Sequence, residues 1–128
     1  MRMCFLLLFT IFYSCTADKL VSQTGIDEIN FGSGGGFTGQ VNNFKLKSDG
    51  ELFDKIKKIK EVNSKTTLEA FEKAQELKDY SFNSPDNVYS FIEIKSKGKI
   101  NRIVWSLSSP DIDKKVTDLH NSLMLLIK

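Results

Sequence analysis

The sequence predicts an α+β fold in which four strands, or slightly more, form an antiparallel sheet with two helices packed on one face. Two observations predict this class. Segments of alternating or closely spaced apolar residues occur in two pairs, and each pair precedes a segment with apolar residues at helical spacing. The predicted order is therefore β-β-α-β-β-α. A chain of 128 residues allows one compact domain, which we place at residues 26–128.

An export signal is predicted at residues 1–17. Arg2 supplies a positive charge before the apolar run 5–13. This run is too short to span a bilayer, which needs about 20 apolar residues. The two cysteines both lie in this region, at positions 4 and 15, so the mature domain has neither a disulfide nor a thiolate metal site.

Two cleavage sites are compatible with the signal. The segment 12–15 resembles a bacterial lipobox and makes Cys15 the acceptor of a lipid, with cleavage before Cys15. Ordinary signal cleavage after Ala17 is the alternative. Residues 18–25 are polar and show no hydrophobic periodicity, which predicts a tether between the signal and the domain. The chain is thus expected in the cell envelope, lipid-anchored to a membrane, or otherwise periplasmic or secreted.

The first half of the domain predicts strands, a glycine-rich loop and a helix. A strand over 26–31 precedes the loop 32–39, which contains five of the eight glycines. The second strand covers 40–47, and a third extended piece covers 51–56 after an Asp-Gly turn. A helix begins near Thr66, since Thr66 and Glu69 have capping-box spacing. Its apolar stripe consists of Leu68, Phe71, Ala74 and Leu77.

The second half predicts a hairpin and a closing helix. Strands 88–95 and 100–107 are joined by a short turn, and Trp105 is expected in the core. Ser109 is expected to cap the closing helix, with Pro110 at its first position. The apolar face of this helix is formed by Ile112, Val116, Leu119, Leu123 and Leu126.

The glycine-rich loop matches phosphate-binding patterns only formally. Gly34 to Gly39 fits G-x-G-x-x-G, but a dinucleotide site needs a helix directly after the loop, and here a strand follows. Gln40 stands where a Walker motif requires Lys. Two interpretations remain: a bulged hairpin connection, or a loop of small residues that presents Phe37 as an apolar anchor.

No set of catalytic residues is recognisable, so we expect neither an enzyme nor a cofactor. His120 is the only histidine, which excludes a site built from several histidines. A net charge of +2 argues against nucleic-acid binding. The run 55–60 alternates lysines with Ile56 and Ile59. It predicts a charged edge strand that prevents aggregation, or a contact with anionic lipid or an acidic partner.

The loop Ser33–Gly39, followed by a strand, a helix, a hairpin and a Leu-rich closing helix, resembles emfourin. This resemblance implies a small α+β fold and inhibition of thermolysin-like metalloproteases. The positions that it assigns to the contact are Gly35, Gly36, Phe37, Thr38 and Gly39. The chain departs from the family by one additional Gly, by Thr38 and by the export signal. It also resembles small lipoproteins of Bacteroidetes-type bacteria.

Together these features predict a non-catalytic binding module. The expected partner is a protein, and the resemblance makes a metalloprotease one candidate, with membrane attachment through a lipid on Cys15. The alternative is a structural or assembly lipoprotein that holds another envelope protein, with the basic run 55–60 as its contact.

Overall fold

The computed structural model describes residues 16–128, so Cys15 and most of the expected signal lie outside the described residues. Nine helices and strands make up this part of the chain. In order they are α1 (Thr16–Gln23), β1 (Glu28–Gly35), β2 (Val41–Lys47), β3 (Glu51–Asp54), β4 (Lys57–Glu61), α2 (Ser64–Leu77), β5 (Val88–Ser96), β6 (Lys99–Ser106) and α3 (Lys114–Leu125).

The strands form one antiparallel sheet of six, in the order β4-β3-β2-β1-β5-β6. The predicted α+β class is confirmed, with a sheet larger than four strands. The addition is a hairpin: the third extended piece ends at Asp54, and the basic run becomes the edge strand β4. Strand β1 lies inside the sheet, where Phe31 pairs with Phe44 on β2 and with Ile92 on β5.

Helix α2 begins slightly earlier than its sequence pattern predicts. Asn63 is the cap, and its side-chain oxygen accepts a hydrogen bond from the backbone N–H of Thr66 at 2.8 Å. Asn is among the strongest N-cap residues, which explains why Thr66 lies inside the helix instead of starting it. The predicted apolar stripe is buried at Phe71, Ala74 and Leu77, and Leu68 packs against the core.

Helix α3 begins later than predicted. Its cap is Asp113, whose carboxylate accepts from the N–H of Lys115 at 2.9 Å. Ser109 does not cap the helix, because its hydroxyl accepts from the N–H of Ser106 at 3.1 Å and so belongs to the turn after β6. The expected apolar face is confirmed at its centre, where three residues are fully buried: Val116, Leu119 and Leu123.

The segment 18–25 is not an extended tether. Residues 16–23 form α1, which packs against α2, and Val21 is 1% exposed within the core. Gly25 follows the helix with φ +72°, and its N–H donates to the carbonyl of Ser22, as is usual at a helix C-terminus. An isolated helix of eight residues is only marginally stable in water. The stability of α1 therefore comes from its packing against α2.

Candidate functional site

One end of the sheet carries the glycine-rich loop, and we call it the loop end. Here β1 ends, β2 begins, β5 begins and β6 ends, according to the pairing of Gly34 with Val41 and of Gly35 with Val88. The β3–β4 turn is directed toward the same end, because β3 runs toward the start of β2 and ends at Asp54, opposite Phe44 in the middle of β2. The loop end therefore brings together four connections: the β1–β2 loop, the β3–β4 turn, the segment before β5 and the segment after β6.

The tip of the loop is a tight turn that presents Phe37. The N–H of Gly39 donates to the carbonyl of Gly36 at 3.2 Å, with Phe37 and Thr38 between them. Gly36 and Gly39 have φ values of +84° and +61°, a region that favours glycine. The side chain of Phe37 is fully exposed, and Thr38 is exposed as well. The turn thus holds an aromatic ring out in solvent.

The base of the loop is attached to the start of β5. The N–H of Gly36 donates to the carbonyl of Asn87 at 2.7 Å. The preceding residue, Gly35, has φ +93°, and a Cβ atom there would stand 1.8 Å from the same carbonyl oxygen. Only glycine fits this position, so Gly35 has a structural role at the end of β1.

Two further glycines face aromatic rings on the sheet face opposite the helices, and a Cβ atom at Gly32 would also stand 1.8 Å from the carbonyl oxygen of Asn42. Gly32 pairs with Phe91, and Gly34 pairs with Tyr89. A Cβ atom at Gly34 would lie 2.5 Å from the hydroxyl oxygen of Tyr89, because the tyrosine ring covers this glycine. Aromatic side chains that cover strand glycines across a pair restore packing that glycine lacks. The glycine run therefore divides into a structural part, 32–35, and the turn 36–39.

The phosphate-binding interpretations of the loop do not hold. Residues 41–47 form strand β2, so no helix N-terminus follows the glycines. Within residues 16–128 no group of three or more His, Cys, Asp or Glu side chains is arranged to hold a metal. In the same residues no helix combines the length and the apolarity needed to cross a membrane.

His120 on α3 contacts the backbone of β1 at Gly32, next to the base of the loop. Its Nε2 lies 3.0 Å from the carbonyl oxygen of Gly32, and since a carbonyl only accepts, Nε2 donates this hydrogen bond. The imidazole also meets the indole of Trp105 edge-on, with ring centroids 5.0 Å apart. Burial lowers the pKa of His120, and the hydrogen bond to Gly32 opposes this shift less strongly. The imidazole is thus neutral at pH 7 and fills a packing position.

His120 should make stability dependent on pH. Its pKa is lowered in the folded chain and is close to 6.5 in the unfolded chain. As the pH falls below that value, the unfolded chain binds the proton first, so the free energy of unfolding decreases by at most about 1.4 kcal/mol per pH unit. We expect His120→Gln, which can still donate to Gly32, to lose this component. Urea unfolding of both proteins between pH 7.5 and 5 measures it; parallel profiles would contradict the assignment.

The predicted contact residues are partly brought together. Gly36, Phe37, Thr38 and Gly39 form one exposed turn, whereas Gly35 lies in β1. Sequence reasoning missed other apolar side chains at the loop end that are also exposed: Val41, Ile56, Val88 and Leu107. Val88 and Leu107 border a shallow depression of about 280 Å³. Only the strand order brings these residues to one end of the sheet, so no local pattern could have identified them.

Comparisons with protein-family models, with curated proteins and with solved structures find no match to this chain. The resemblance to emfourin therefore stays a prediction that depends on the residues of the loop. The function has to be argued from the geometry of the loop end itself.

Proposed function

We propose that the chain is a non-catalytic, lipid-anchored envelope protein that binds another protein through the turn 36–39. One observation carries this proposal: Phe37 is fully exposed on a turn whose base is attached to the sheet. Burial of such a ring in a partner contributes about 2–3 kcal/mol. Because the turn is already shaped in the free protein, little ordering entropy opposes binding.

The partner that we propose is a thermolysin-like metalloprotease, which the protein inhibits. The support is the emfourin-like loop together with the tight Gly36–Gly39 turn. A preformed turn can occupy a substrate cleft without offering the protease an extended, flexible segment to cleave. Neighbouring apolar side chains at the loop end, Val41 and Val88, could then contact the rim of the cleft.

The test is an inhibition assay with thermolysin and a short fluorogenic peptide. We expect the full chain to slow cleavage at micromolar concentration. Phe37→Ala should weaken inhibition by about 30-fold, the effect of losing one central anchor. Phe37 packs against nothing in the free protein, so the variant should keep the stability of the parent.

Ile56→Ala is the matched control for this assay. Ile56 is also almost completely exposed at the loop end, but on the β3–β4 turn. We expect it to inhibit as the parent does. Unchanged protease activity at micromolar protein would exclude the inhibitor, and an equal loss in both variants would indicate non-specific apolar contact.

The membrane attachment is tested separately at Cys15. Mass spectrometry of the N-terminus of the protein made in a bacterial host distinguishes a diacylglyceryl-modified Cys15 from a chain that begins after Ala17. Cys15→Ala should release the protein from membranes into the soluble envelope fraction if the lipid is the anchor. A variant that stays membrane-bound would contradict the lipid anchor.

A second candidate is a structural or assembly lipoprotein that holds another envelope protein through the edge strand β4. The observation that favours it is the exposure of every residue of β4, from Lys57 to Glu61. An open edge can pair with a strand of another protein.

A further inference from the structure

The two edges of the sheet differ in how they are covered. Residues 82–84, which precede β5 in the chain, pair with the outer side of β6 at Val104. Val104 donates its N–H to the carbonyl of Phe82 at 3.1 Å, and the N–H of Ser84 donates to the carbonyl of Val104 at 3.0 Å. Along β4, no described segment pairs beyond the strand, and all five of its residues are exposed. Within residues 16–128, β6 is thus paired on its outer side at Val104, whereas the outer side of β4 is open along its whole length.

The open edge is strongly basic. Lys58 is occupied within the hairpin, because its ammonium lies 2.7 Å from the Glu61 carboxylate and 3.6 Å from that of Glu51. In the described part of the chain, Lys55, Lys57 and Lys60 make no ion pair. Three positive charges on or beside one open strand therefore lie beyond ion-pair distance of every described carboxylate, although Asp54 is the cross-strand neighbour of Lys57.

A break in the register places two of these charges on one face. Lys57 pairs with Asp54 and Lys60 with Leu52, and the register shifts between Leu52 and Phe53. Since Leu52 and Asp54 are two residues apart on β3, their partners lie on the same face of the sheet. Lys57 and Lys60 thus form a pair of charges on that face, with the outward backbone of β4 beside them.

We propose that β4 accepts an acidic, extended segment of a partner protein as a seventh strand. The unpaired N–H and C=O groups of β4 would supply the backbone hydrogen bonds, and acidic side chains of the segment would meet Lys57 and Lys60. The same lysines oppose pairing with a second copy of the chain, because β4 against β4 brings like charges together. This inference deepens the second candidate function and does not depend on Phe37.

The probe is a nine-residue capped peptide of alternating Glu and Val, compared with one of alternating Lys and Val. The full chain, labelled with 15N, is titrated with each peptide. We expect amide shifts concentrated at residues 57–61 with the Glu peptide and none with the Lys peptide. Amides of β4 should also exchange more slowly with solvent, and the affinity should decrease as salt is added.

Charge reversal tests the lysines. Lys57→Glu combined with Lys60→Glu should weaken binding of the Glu peptide by about tenfold, the combined effect of two exposed ion pairs turned repulsive. Lys78→Glu combined with Lys99→Glu is the matched control, because it changes net charge equally and lies away from β4. This control protein should bind the Glu peptide as tightly as the parent does.

Two further results distinguish the edge from the loop. Phe37→Ala should bind the Glu peptide as the parent does, whatever its effect on protease inhibition. Equal loss in both charge-reversed proteins would indicate a general electrostatic attraction and overturn the proposal. Amide shifts that map to residues 36–41 instead of 57–61 would overturn it as well.

Discussion

Gly35→Ala should lower the free energy of unfolding by about 3–4 kcal/mol, the combined cost of a strained backbone and an overpacked site. The added Cβ would stand 1.8 Å from the backbone carbonyl of Asn87, and the residue has φ +93°. A backbone atom cannot move aside as a flexible side chain can. The start of β5 would have to shift, and the hydrogen bond from Gly36 to Asn87 would be lost with it.

Gly36→Ala is the internal control for this prediction. Its φ of +84° is also unfavourable for alanine, but no atom lies within 4 Å of the added Cβ. We expect a loss of only about 1 kcal/mol, from backbone strain alone. Chemical unfolding followed by tryptophan fluorescence compares the two, since Trp105 is buried. Equal losses would mean that the close approach of Gly35 to the Asn87 carbonyl adds nothing to the cost of the substitution.

Val21→Asp should destabilise the protein by about 3 kcal/mol, because it removes a buried apolar group and places a carboxylate in the core. Val21 is 1% exposed where α1 packs on α2. Leu20→Asp changes the neighbouring residue, which is 44% exposed, and should cost less than about 1 kcal/mol. Urea unfolding gives both values, and hydrogen exchange of the α1 amides reports whether the helix undocks alone.

The stabilities of Val21→Asp and Leu20→Asp together distinguish a free tether from a docked helix at residues 18–25. If the segment were a free tether, both aspartate variants would unfold like the parent. If α1 is part of the domain, only Val21→Asp is damaging. The result also bears on the proposed lipid anchor, because a lipidated Cys15 would then be joined directly to a docked helix that begins at Thr16.

The hairpin 88–107 and the apolar stripes of α2 and α3 were predictable because their signals are local. Alternation by two along β5 and β6, spacing by three along α2, and spacing by three and four along α3 follow from backbone geometry alone. The separation of β3 from β4 was less predictable. Their turn is made at Lys55, a residue other than glycine with φ +55°, so no usual turn residue marks it.

The candidate site was predicted in part. The glycines and Phe37 form an unusual local composition, so the sequence predicts residues 35–39 as a possible contact. The division of the glycine run was not predicted, because it depends on Tyr89, Phe91 and the carbonyl of Asn87. These groups are more than 50 positions away along the chain and meet the glycines only through the pairing of β1 with β5.

The sequence by itself determined the α+β class, the order of the main elements and the absence of cysteine from residues 16–128. Tertiary structure decided that Phe37 faces solvent, that the predicted basic edge strand pairs with β3 as the separate strand β4, and that α1 belongs to the domain. The physical reason is the separation along the chain of the residues that interact. Periodicity and turn chemistry act between near neighbours, whereas exposure and edge position depend on which distant segments cover a residue.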